Sequence, residues 1–245
     1  FEKDLQQIEK RLSELLTPDE RSSSRAILER IGLNDIESFI TQVEGKTDEV
    51  KDYQPVVAAI LDQACQGFNL SVLHDTRRGG RSGKVYVDGH IGQTDVINNL
   101  RPLLKSLTEI PYPQTFSFAV KSDLQTDYKH ALGQMAEATA LFYTTRDRQP
   151  TDNYTRHYTY FSIASDVRSW LILMSYVDVD NNDIHIIDSG IKKWEDLNHY
   201  IIQILIYLDK LDLRASAEVT DNVFQDTFLM RVEASYGRLY KGTVP

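Results

Sequence analysis

The chain has 245 residues, 41% of them hydrophobic and 10% aromatic, with seven prolines, a composition that excludes a disordered tail and describes an ordered globular protein. Its 27 basic and 36 acidic residues leave a formal net charge of −9, so nucleic acid is repelled overall and could be held only by a local basic patch. A single cysteine, Cys65, excludes an internal disulfide and a cysteine-cluster zinc site, and no apolar run has membrane-spanning length.

In chain order, residues 1–46 predict a small helical segment, partly separate from the main domain at 47–245, with an apolar stripe expected to pack against the rest of the chain. Leu5, Ile8, Leu12, Leu15 and Leu16 recur at helical spacing in a charged stretch. Thr17, Pro18 and Glu20 then form a helix start, with Thr17 as N-cap and Glu20 closing a capping box. That helix carries Ala26, Ile27, Leu28 and Ile31 and stops at Gly32, and a third short helix is expected over Ile36–Val43.

In the main domain, Pro55 suits a helix start, and Val56, Val57, Ile60, Leu61 and Ala64 share one face. Leu70–His74 reads as a strand, Thr76–Lys84 as a glycine-rich basic loop, and Lys84–Asp88 as the returning strand. Thr94 or Asp95 caps a helix expected to run on through Leu107 with a break at Pro102. The strand Thr115–Val120 leads into a long helix over 126–145. Tyr158–Ser165, Ser169–Val177 and Ile184–Ile187 follow as strands, and Trp194–Leu211 as a strongly apolar helix. Residues 215–240 fit helix and strand equally. The sum is an α/β fold with a mixed central sheet flanked by helices.

The stretch with most chemical content is Phe116–Tyr143, together with Val85–Asp88. A β-rich run ends in Asp88, a short apolar strand delivers Lys121, and the following helix carries Gln134. This order of parts resembles the core of the PD-(D/E)XK nuclease-like superfamily. The segment His157–Asp180, with Asp166-Val167-Arg168-Ser169-Trp170 at its centre, is similar to nuclease-like regions of fungal and oomycete Crinkler-type and fungal-type kinase proteins. The resemblance implies a restriction-endonuclease-like sheet, with Asp88 as a Mg²⁺ ligand and Lys121 as the residue that orients water. Gln134 would then lie beside the site. In the family a second metal-binding acid stands two residues before the lysine, on the same face of the strand. Here that position is Ala119, whose methyl group cannot ligate a cation. Asp123 and Glu137 are the candidate replacements, although a helical projection turns Glu137 toward solvent. Arg77, Arg78, Arg81 and Lys84 make a concentrated basic loop suited to phosphate contact, or equally a solvated hairpin tip.

Other motifs fall short. The loop at 78–85 lacks the first glycine and the Ser/Thr of a phosphate-binding P-loop, and 178–189 lacks the glycine and final glutamate of a calcium loop. Two readings stay open. One is a degenerate nuclease-like module that serves interaction or regulation beside a kinase-like or effector domain. The other is an active Mg²⁺-dependent nuclease acting on DNA or RNA. Two sequons, at Asn69 and Asn153, come without a secretory leader, so an intracellular address in cytoplasm or nucleus is expected, with earlier secretion as an effector left open. The chain opens on Phe1, as an excised piece of a longer protein would.

Overall fold

A computed structural model describes residues 2–74, 88–100, 115–145, 159–178 and 183–211. The strands are β1 (Glu2–Lys3), β2 (Leu70–His74), β3 (Gly89–Gln93), β4 (Thr115–Val120), β5 (Thr159–Ser165), β6 (Ser169–Asp178), β7 (Asp183–Asp188) and β8 (Lys192–Lys193). They form one mixed sheet in the order β1-β7-β6-β5-β4-β3-β2, with β8 pairing β6. β4 and β5 run parallel, as do β1 and β7, and the other pairs are antiparallel. The parallel β4–β5 pair needs a crossover, and the chain between them contains α6.

The helices are α1 (Leu5–Leu15), α2 (Pro18–Ile31), α3 (Glu37–Gln42), α4 (Gln54–Ala64), α5 (Thr94–Leu100), α6 (Tyr128–Thr145) and α7 (Trp194–Lys210), and a π-helical turn, Glu49–Tyr53, leads directly into α4. α2 begins with the expected capping box, the Thr17 and Glu20 side chains each accepting from the other's backbone N–H, and ends at Gly32 in the left-handed region. The third helix is shorter than its expected span, at six residues.

Alternation along β4 sorts the core into two layers. Phe116, Phe118 and Val120 join a cluster containing α1, α2, α4 and α7, while Ala119 joins Ala131, Leu132 and Met135 of α6 and Leu171 and Leu173 of β6. The helical segment at 1–46 shares the first layer: Ile8, Leu12 and Leu28 pack in the same cluster as Trp170, Trp194 and Ile201. β1 also adds a parallel edge to β7, through Glu2–Ile187 and Lys3–Asp188 pairing. α7 is buried over most of its circumference because sheet residues and the N-terminal helices cover different sides of it.

One strand lies where none was expected from the sequence. The partner of β2 is β3, which starts at Gly89 directly after Asp88; of the strand anticipated at 84–88, residues 84–87 lie outside those described. The described strand contains two glycines and a buried histidine, so it lacks the β-branched pattern that marks strands in a sequence. Gly89 is required by its neighbours, since a Cβ there would strike the Phe118 ring and lie 2.6 Å from the Leu73 carbonyl oxygen. Both flanking strands would have to move. Gly89→Ala is therefore expected to destabilise the chain by about 2 kcal/mol, read as a lower urea midpoint; an unchanged midpoint would contradict this packing of β2, β3 and β4.

Candidate functional site

In an antiparallel pair the residue that opens one strand lies beside the residue that closes the other. β3 and β4 pair in this way, with Gly89 opposite Phe118. Asp88 N donates to Phe118 O at 3.0 Å, and Val120 N donates to the Asp88 carboxylate at 2.6 Å. Asp88 is thereby fixed at the edge of the sheet from which Lys121 emerges. Lys121 is held from the other side, its N–H donating to Ser165 O at the end of β5 at 3.0 Å. The two residues named from the sequence come to one place, with Asp88 directly preceding β3 and Lys121 directly following β4.

A third charged residue meets them. Glu49, the first residue of the π-helical turn, places Oε1 3.6 Å from the Lys121 ammonium. Lys121 is 2% exposed and the Glu49 side chain 33% exposed. Gln54, the first residue of α4, donates from Nε2 to the other Asp88 oxygen. The π turn has its own support, Asp48 accepting the N–H groups of Val50 and Lys51. Wider-wound turns of this kind recur at functional sites, and this one brings Glu49 to Lys121 and leads into Gln54, which meets Asp88.

The electrostatics are those of two partly dry carboxylates sharing one lysine. Burial pushes the Asp88 carboxyl above its ordinary value, and Lys121, the Val120 N–H, Gln54 and His130 each offset part of that shift. Burial also raises Glu49; Lys121 opposes the rise and Asp88 adds to it. His130, in the first turn of α6, is held below its ordinary value by burial and by Lys121, against the pull of Asp127 and Asp88. The centre thus comprises Asp88, Glu49 and Lys121, with Gln54, Asp127 and His130 around it.

Other residues named from the sequence are placed differently. Ala119 is fully buried under α6, where a carboxylate would have been dry and distant from solvent, so this strand position is core. The Asp123 carboxylate is exposed and accepts from Thr126 N at 3.0 Å and Thr126 Oγ1 at 2.8 Å, which caps the turn before α6. These bonds hold its carboxyl below its ordinary value. Gln134 is half-buried on α6, one turn beyond His130. Glu137 lies on the same helix, its side chain outside the described set. Arg77, Arg78, Arg81 and Lys84 also fall outside the described residues, as do 101–107 and 215–240.

Glu49, Gln54 and His130 carry no motif in the sequence that marks them. Glu49 sits between two helical segments, in a turn without amphipathic period, and its only local signal is the preceding Asp48 as a cap. Among the described residues no group of three His, Cys, Asp or Glu side chains is gathered as a metal cage, and no described helix is long and apolar enough to cross a membrane. Compared with protein-family models, curated proteins and solved structures, the chain matches none.

Proposed function

We propose that Asp88, Glu49 and Lys121 form the centre of a Mg²⁺-dependent nuclease-like domain that acts on phosphodiester bonds of DNA or RNA. The observation that carries this reading is the buried Lys121 ammonium facing Glu49 at 3.6 Å, with Asp88 fixed beside it by Val120 and Gln54. Glu49 supplies, from a different element, the carboxylate that Ala119 cannot. The donor set fits the cation: Mg²⁺ is commonly held by one or two carboxylates and completes its shell with water and substrate phosphate. Two carboxylates against one ammonium leave the hollow negative, and burial raises both acids, so a divalent cation would relieve them. When bound, the cation supplies charge stabilisation at the phosphate and a more acidic water.

The residues divide the remaining work. Asp88 and Glu49 would hold the cation, while the Lys121 ammonium offers donors to water or to a phosphate oxygen. Gln54 and the Val120 N–H keep the Asp88 carboxylate oriented. The restriction-endonuclease-like reading of the fold draws support from the same geometry. The acid opens the second of three antiparallel strands, the lysine follows the third, and α6 with Gln134 comes next.

A second reading draws on the same contacts. Lys121 paired with Glu49, and Asp88 engaged by Gln54 and Val120, also satisfy one another without a metal, as in a degenerate module that serves regulation beside a kinase-like domain. Cleavage of labelled DNA and RNA with Mg²⁺ or Mn²⁺ decides between them. The expected result is metal-dependent cleavage that falls about 10²-fold or more in Asp88→Asn, Glu49→Gln and Lys121→Ala. No cleavage of either nucleic acid would leave the module reading, and cleavage intact in all three variants would remove the centre assigned here.

A further inference from the structure

The β5–β6 turn, Ser165–Ser169, contains a backbone conformation that its sequence resists. Val167 has φ of 73° and is the non-glycine residue with positive φ among those described. A β-branched residue in that region is a true outlier that only its surroundings can hold. The side chain is nevertheless fully buried in the main core, so the surroundings impose the conformation.

Those surroundings are explicit. Val167 N donates to Ser165 Oγ at 2.8 Å, and Trp170 Nε1 donates to Val167 O at 2.9 Å. Ser169 N donates to Asp166 Oδ1 at 2.6 Å and Asp166 N to Ser169 O at 3.2 Å. The other Asp166 oxygen accepts from Leu124 N at 2.8 Å. Together with the bond from Lys121 N to Ser165 O, this clamps the turn at two points to the segment carrying Lys121. Arg168 is the exposed residue of the turn. Turning the Val167 side chain into the core leaves the arginine outside, on a turn tied by these bonds to the 121–124 segment. Both oxygens of the neighbouring Asp166 accept backbone N–H groups, and Arg168 acts on that carboxylate through its charge.

We propose that Arg168 is a phosphate-contacting residue, binding the backbone of a nucleic-acid strand where it passes the Lys121 centre. The proposal rests on the nuclease-like reading above. In a chain of net charge −9 long-range attraction gives no help, so each local phosphate contact weighs heavily. A guanidinium on a fixed turn suits this task because its planar fork meets phosphate oxygens two at a time.

The test is binding of a labelled single-stranded oligodeoxynucleotide and of its duplex to the full chain in metal-free buffer, followed by anisotropy over a range of salt. Cleavage of the same strands with Mg²⁺ is measured alongside. Arg168→Ala is expected to weaken binding about tenfold at low salt and to reduce the slope of log affinity against log salt by about one, while Arg168→Lys keeps the slope. Affinity and slope unchanged in Arg168→Ala, with the unaltered chain still binding and cleaving, would overturn this inference alone. An unaltered chain that neither binds nor cleaves would overturn it together with the nuclease-like reading.

Discussion

Replacing Lys121 by methionine is expected to cost about 3 kcal/mol of folding stability, and adding Asp88→Asn is expected to restore part of it. Methionine fills much of the volume of the lysine stem, so the loss comes from charge. The lysine is 2% exposed, and without it the Asp88 and Glu49 carboxylates, both partly buried, lose the ammonium that offsets their charge. Removing one partner of a buried charge pair typically costs about 3–5 kcal/mol. Glu49 is one-third exposed, so water screens its share and the lower end applies. In the double variant the neutral amide still offers oxygen to Val120 N, and one of the two stranded charges is gone. Urea unfolding of the wild type, both single variants and the double variant closes the cycle, with an expected coupling of about 1–2 kcal/mol. Additive losses would mean that the two side chains do not sense each other.

Tyr160 should govern part of the chain's alkaline stability. Its ring is fully buried beside Phe116, with ring centroids 5.4 Å apart, and its hydroxyl donates to Ser117 Oγ at 3.1 Å. Burial pushes the phenol up to about 12 from an ordinary value of 10.0. The folded chain holds this proton more tightly than the unfolded chain does. The resulting stabilisation is complete below pH 10 and is lost as pH rises through 12. At about 1.4 kcal/mol per pH unit the loss is roughly 2–3 kcal/mol. Tyr160→Phe carries no such proton, so its stability relative to wild type should rise by that amount between pH 9 and 12. Parallel curves for the two proteins would contradict the burial of this hydroxyl.

What could be read from the sequence follows the physics of each element. The Thr17–Glu20 capping box and the Gly32 stop were legible because caps are local chemistry. α7 and the strands β5 and β6 were legible from their apolar runs. β3 was not, since Gly-His-Ile-Gly-Gln has weak strand propensity and is held in place by Phe118 and Leu73 on its flanks. The meeting of Asp88 and Lys121 was anticipated as an adjacency in one sheet, and the antiparallel β3–β4 register supplies it. The second carboxylate was sought at Asp123, just past β4, and at Glu137 on α6, both near Lys121 in sequence. Glu49 is 72 residues away from Lys121, in a π-helical turn, and only the tertiary structure brings it there. The same is true of the first 46 residues. Their helices are plain in the sequence, but their attachment through β1 and the common core depends on contacts with β7 and α7 at the far end of the chain.

Calorimetric titration of Mn²⁺ into the full chain tests most directly whether Asp88 and Glu49 act as one cation-holding pair. One binding event is expected in the wild type, lost or weakened at least tenfold in both Asp88→Asn and Glu49→Gln and retained in Asp123→Asn. Binding that survives the loss of Glu49 but disappears with Asp123, or no binding in the wild type, would contradict the account.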